Sequence, residues 1–98
     1  MVPAFAEQVL EAAGIGGWEL DVATGHLRWT SVTFRIHEVD PSQQPSVQEA
    51  INFYPPDARR IIEPAIERAI RDGTPWDLET PFITARGRHI RVRAKGMA

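Results

Sequence analysis

The chain has 98 residues, 43% of them apolar and 24% charged, with a formal net charge of -2 and a pI near 5.9. This length holds one domain with a single core, and neither sign of charge dominates enough to draw the whole molecule to nucleic acid or anionic lipid. The lack of cysteine excludes a disulfide framework, a thiolate nucleophile and a thiolate metal site, and it fits a reducing compartment, with the cytoplasm as the expected location.

The apolar-leaning stretch from Val2 to Ile15 is interrupted by Glu7, Gln8 and Glu11, so it reads neither as a signal segment nor as a membrane span. Within it, Phe5, Val9, Leu10 and Ala13 recur at helical spacing between Pro3 and Gly14, which predicts a short amphipathic helix. Gly14, Gly16 and Gly17 stop that helix. Trp18 and Leu20 then alternate with Glu19 and Asp21, the period of a strand.

The turn residues Asp21 to Gly25 join this strand to a second. With Val22 to Gly25 as the loop, Leu20 faces Leu27 and Trp18 faces Trp29 on one face of a hairpin. The series Val32, Phe34, Ile36 and Val39 predicts one or two short helices with Thr30 or Ser31 as cap. Pro41 and Pro45 mark a polar loop, and Ser46 with Glu49 forms a capping box for a helix over Val47 to Phe53. Pro55, Pro56 and Asp57 suit the first turn of a longer helix. Its residues Ile61, Ile62, Ala65, Ile66, Ala69 and Ile70 are expected to be buried on one side. Pro64 predicts a kink or restart in that helix, and Asp72-Gly73 closes it.

The last segment is a second hairpin. Trp76, Leu78, Thr80 and Phe82 alternate with Asp77 and Glu79, and Ile90, Val92 and Ala94 alternate with Arg91, Arg93 and Lys95. A three-residue loop, Ala85-Arg86-Gly87, pairs Phe82 with Ile90, Thr80 with Val92 and Leu78 with Ala94, and sets Glu79 opposite Arg93 and Asp77 opposite Lys95. The expected fold class is α+β, an antiparallel sheet with helices packed on one face.

This order, together with Gly16-Gly17-Trp18-Glu19-Leu20-Asp21, Thr24-Gly25 and Tyr54-Pro55-Pro56-Asp57-Ala58-Arg59, resembles the PAS family, in its bacterial subgroup with a Gly-x-Trp-x-x-Asp first strand. Asp72-Gly73, Asp77-Leu78-Glu79, Gly87 and Arg91-Val92-Arg93 continue the match, and Tyr54 stands where histidine is common in the family. The resemblance implies residues 1–13 as a flanking helix and 14–98 as a PAS domain without its fifth, central strand. It also implies two exposed strand edges beside a gap, or repair of that gap by strand exchange in a homodimer.

Other chemistry is weaker than its structural alternative. His26, His37 and His89 are scattered, with no partner at ligand spacing, so no metal site is expected. Heme is not expected either; among heme-binding members of the family the ligand lies in the helical half, where His37 alone qualifies. The covalent flavin adduct of the light-sensing members needs a cysteine.

His37-Glu38 resembles a phosphoacceptor site, but Val39-Asp40-Pro41 ends the helix such a site requires. Gly14 to Gly17 precedes a strand and is no phosphate cradle. Ser31, Ser42 and Ser46 read as cap and loop residues, and no catalytic residue is assigned. The basic run from Arg86 to Lys95 reads as a solvated strand face, with no nucleic-acid or membrane contact expected.

Trp18, Leu20, Leu27, Trp29, Phe34, Phe53, Ile62, Ile66, Leu78, Phe82 and Ile90 either fill a core or line a small-molecule cavity. The resemblance implies a non-catalytic signal-input domain, its output first a histidine kinase and next a diguanylate cyclase, with the segment Pro3 to Ala13 as a homodimer contact or a cap over the outer sheet face. The competing classes are a small enzyme or ligand carrier, and a purely structural interaction module.

Overall fold

A computed structural model describes residues 4–96; Val2 and Pro3, named above, and the last two residues of the expected 14–98 domain lie outside the described residues. The element order is α1 (Ala4–Ala12), β1 (Trp18–Asp21), β2 (His26–Trp29), α2 (Ser31–His37), α3 (Val47–Ile51), α4 (Pro56–Asp72), β3 (Trp76–Ile83) and β4 (His89–Gly96). This is an α+β fold whose described strands form two separate two-stranded antiparallel sheets, β1-β2 and β3-β4. The chain divides into two compact units after Val47.

In the first unit α1 ends as its glycine predicts. Gly14 has a φ of 70° and donates its N–H to the Glu11 carbonyl at 3.0 Å, while the Ile15 N–H reaches the Leu10 carbonyl at 2.8 Å. Gly16 and Gly17 have a different task, since they are where the chain meets α2. The Gly17 N–H donates to Thr30 Oγ1 at 2.7 Å, and the Gly17 carbonyl accepts from the Thr33 hydroxyl at 2.7 Å and from the Thr30 N–H at 2.9 Å.

A Cβ on Gly16 would collide with Thr33 Oγ1 and lie 3.0 Å from the Thr33 backbone. Only a residue without a side chain allows that approach. Thr30 occupies the N-cap position of α2 but makes no capping bond. Its hydroxyl serves the Gly17 backbone instead, which corrects the expected cap.

The first hairpin has the expected register, Trp18 with Trp29 and Leu20 with Leu27. Asp21 builds its turn. One carboxylate oxygen accepts from the N–H groups of Ala23 and Thr24 at 3.0 and 3.3 Å, and the Asp21 carbonyl accepts from Gly25 N–H at 2.7 Å. Leu27, Val32 and Phe34 are buried, whereas Trp18 is 36% exposed and so lies at the rim of the packing rather than within it.

In the second unit α3 stops at Ile51, two residues short of the expected Phe53, because the N–H groups of Phe53 and Tyr54 turn to the carbonyls of Ala50 and Ile51. α4 runs from Pro56 to Asp72 as one helix with Pro64 inside it, so the restart expected there does not occur. Its buried stripe is Ala58, Ile62, Ala65 and Ala69. Ile61 and Ile70 flank that stripe at 59% and 45% exposure, correcting the wider buried face read from the sequence. The residues that turn inward are mostly alanines, which bring the helix axis close to its neighbour and leave the bulkier isoleucines at the margins.

The second hairpin also has the expected register, from Trp76 opposite Gly96 to Ile83 opposite His89. At its tip Gly87 has a φ of 81° and donates to the Thr84 carbonyl at 2.9 Å, which closes the three-residue loop. Phe82, at 1% exposure, and Ile62, at 2%, are the most deeply buried large side chains of this unit.

Candidate functional site

The apolar residues proposed from sequence as core or cavity lining fall on both units, and each unit carries its own cluster. In the first, α2 carries Phe34 and His37 on the side of Trp29 at the end of β2. The Trp29 and His37 rings stack at 3.9 Å with a 27° interplanar angle, and Phe34 meets Trp29 edge-on at 5.3 Å.

His37 Nδ1 donates to the Thr33 carbonyl at 2.7 Å, which fixes the tautomer because a carbonyl can only accept. Burial lowers the His37 pKa below its ordinary value, and the bond to Thr33 offsets only part of that. The imidazole is therefore held neutral and oriented. Helix α2 ends at this residue, with Glu38 in the left-handed region at φ 58°. A phosphoacceptor histidine needs an exposed position within a continuing helix; His37 has neither. His26 and His89 are exposed on β2 and β4.

In the second unit Phe82 on β3 stacks on Phe53 at 5.8 Å and meets Tyr54 edge-on at 5.1 Å. Tyr54 stands at the point where α3 turns into α4, and its carbonyl accepts from Arg59 Nε at 2.7 Å. Burial pushes its phenol up to about 12, so it stays protonated across the physiological range. Its role here is packing and not acid–base chemistry.

An open cavity of about 160 Å³ lies between α4 and β3, with Ala58, Ile61, Ile62 and Leu78 as its apolar lining and Asp57 and Glu79 at its polar margin. Sequence reasoning named Ile62 and Leu78 as filling a core or lining a cavity, and placed Ile61 only on the buried side of its helix. Its period alone does not tell the centre of a buried stripe from its flank.

Charged groups cluster on the solvent face of the second hairpin. Arg93 grips Asp77 with two bonds, Nε to Oδ1 at 2.8 Å and Nη2 to Oδ2 at 2.7 Å, and this holds the Asp77 carboxyl below its usual range. Arg91 approaches Glu79 at 3.8 Å and Lys95 approaches Asp77 at 3.9 Å. The register places Glu79 opposite Arg93 as expected, but the close pair is diagonal, since strand twist and the reach of arginine favour the neighbour two residues along. Among the described residues no group of three or more His, Asp or Glu is arranged to hold a metal ion. No described helix is long and apolar enough to cross a membrane.

No family model matches the chain. It is 31% identical over 85 residues to the probable diguanylate cyclase DgcE of Escherichia coli, an alignment covering 86% of this chain and 8% of that protein. It is 29% identical over 87 residues to sensor protein FixL of Bradyrhizobium diazoefficiens, covering 87% of this chain and 17% of the other. The chain thus spans less than a fifth of either curated relative.

In structure it is similar to the PAS domain of a GGDEF family protein from Chromobacterium violaceum, with a TM-score of 0.54 and 22% identity over 87% of this chain and 80% of that one. Hairpin, helical block and hairpin follow in the order expected from Gly16 to Asp21, Pro55 to Arg59 and Gly87, and the chain has a PAS-like fold.

Proposed function

We propose that this PAS-like domain is the signal-input module of a larger signalling protein, shifting the balance between two arrangements of an output domain and performing no chemistry of its own. The observation that carries this reading is that one stretch of chain aligns both with a sensor protein and with a probable diguanylate cyclase. A protein named as a sensor and one named as a probable cyclase have this segment in common, which supports a role in signal input.

The output proposed first is a sensor histidine kinase. A diguanylate cyclase is the second reading, favoured by the higher identity to DgcE and by the GGDEF family protein that supplies the structural neighbour. The signal reaches the output through the flanking helix α1. This helix is tied to α2 by Glu11 and Arg35 at 3.5 Å, and its exposed Phe5 and Val9 form the homodimer contact. The domain works in the cytoplasm and contacts neither nucleic acid nor membrane.

The test is made on the full-length protein encoded by the gene. Incubation with labelled ATP is expected to leave acid-labile phosphate on a histidine outside this domain. Conversion of two GTP to cyclic di-GMP and two pyrophosphates selects the second reading. If deleting residues 14–98 changes neither output nor its regulation, the sensory role is wrong.

A further inference from the structure

We propose that the outer edge of β3 is a docking site for a short extended peptide segment in which aliphatic residues alternate with lysine or arginine. Among the described residues β3 is laddered on one edge, to β4. The Ile83 N–H points away from β4 and donates to the Phe53 carbonyl at 2.9 Å, while the adjacent Thr84 N–H donates to the Arg88 carbonyl across the hairpin at 2.9 Å. Backbone groups alternate sides along an antiparallel strand. Pro81, Glu79 and Asp77 therefore turn their backbone outward with Ile83. Pro81 lacks an N–H and stops pairing at that end, which leaves the N–H and C=O of Asp77 and Glu79, both exposed residues, as a template for an added strand.

The side chains around this edge define the occupant. On the α4 side lies the cavity of about 160 Å³ with Ile61, Ile62 and Leu78 in its lining, and Ile61 is 59% exposed. Directly paired residues share a face, so a residue opposite Leu78 on an added strand points onto Ile61, and an aliphatic side chain covers it.

Residues opposite Asp77 and Glu79 fall on the other, solvated face. There the two carboxylates form a row that meets Arg91, Arg93 and Lys95 from the β4 side. The Glu79 pair is loose, at 3.8 Å with both side chains about two-thirds exposed, so Glu79 retains capacity for a second cation from the opposite side. Asp57, at the groove margin, is held by Arg60 at 3.6 Å with both groups almost fully exposed.

The inner edge of β3 already accepts this pattern. Its partner β4 reads Ile90-Arg91-Val92-Arg93-Ala94-Lys95. Helix α1, whose Phe5 and Val9 are flanked by Glu7 and Glu11, has the wrong sign for the site.

The probe is a capped synthetic peptide, Ile-Arg-Val-Arg-Ala-Lys, titrated into the isotope-labelled chain and followed by amide NMR, with a counterpart carrying glutamate at every basic position. Saturable shifts are expected from Asp77 to Pro81 and at Ile61, with slower amide exchange at Asp77 and Glu79. Binding should weaken with added salt, fall at least tenfold in Ile61→Ser and in Glu79→Pro, and vanish for the acidic peptide. Ile61→Ser alters an exposed side chain and is expected to keep the fold, as circular dichroism would verify, so the test does not depend on Glu79→Pro folding. Equal binding of the acidic peptide, undiminished binding to both variants, shifts confined to β4, or self-association of the chain as the sole response each overturn the proposal.

Discussion

Gly16 is pressed against Thr33 so closely that a methyl group placed on it would overlap the threonine hydroxyl. The sequence marks Gly14, Gly16 and Gly17 alike as helix breakers, yet Gly14 alone is needed for its left-handed backbone. The others are needed for space, and that demand comes from a residue far along the chain. Gly16→Ala is therefore expected to cost about 1–3 kcal/mol through overpacking, measured by urea denaturation. In a Thr33→Ala background the added cost should shrink, because the hydroxyl that it meets is gone. Gly87→Ala, where the surroundings are open and the penalty is backbone strain of about 1–2 kcal/mol, should lose the same amount in both backgrounds.

His37 gives a pH dependence whose sign follows from its burial. The folded chain holds the imidazole neutral, with its pKa lowered, while the unfolded chain takes up a proton near the ordinary value of 6.5. The unfolded state thus binds more protons in the window below that value, so stability is full above it and declines as pH falls. The denaturation midpoint should drop between neutral and mildly acid pH, and His37→Gln should remove this imidazole's part of the slope. A slope unchanged by the substitution would place the dependence elsewhere.

Each hairpin was legible down to its register, because a slip by one residue turns every apolar side chain to the wrong face. The energetic ranking along β3 was not legible. The alternation of Asp77 and Glu79 with Leu78, Thr80 and Phe82 gives the charged row and the apolar row equal prominence, whereas the structure buries Phe82 to 1% and leaves the acids in water. Phe82→Ala removes a ring packed on Phe53 and Tyr54 and should cost about 3–5 kcal/mol, a large part of the about 5–15 kcal/mol that a domain has in total. Asp77→Ala, despite its two short bonds to Arg93, should change the urea midpoint little and less still in high salt.

The same limit applies to α4. Its period predicts the helix and its buried side, but whether Ile61 ends inside or at the margin depends on how far β3 extends beside it.

At the level of the fold, the order of elements and the PAS resemblance were readable because both rest on local signals: turn residues, caps and alternation. The division after Val47 was not, since it reflects where tertiary packing concentrates and leaves no mark on the local pattern. Assembly is equally a matter of surfaces. Helix α1 has nine residues, too few to be stable alone in water. It is tied down on one side by Glu11 to Arg35, and a Cβ on Gly17 would meet Leu10 at 2.9 Å, so Leu10 packs against that glycine. The other side leaves Phe5 at 77% and Val9 at 53% exposure, one turn apart.

Burying that pair against the same pair of a second copy gives a self-complementary contact, the form a two-fold dimer requires. Sedimentation equilibrium should then show concentration-dependent dimerisation, and the double substitution Phe5→Glu with Val9→Glu should weaken it at least tenfold, because four like charges would meet across the axis. The circular dichroism spectrum should remain essentially that of the parent chain, since both positions face water in the monomer. A dimer of unchanged strength in the double variant would assign the contact to another surface and leave α1 as a covering helix alone.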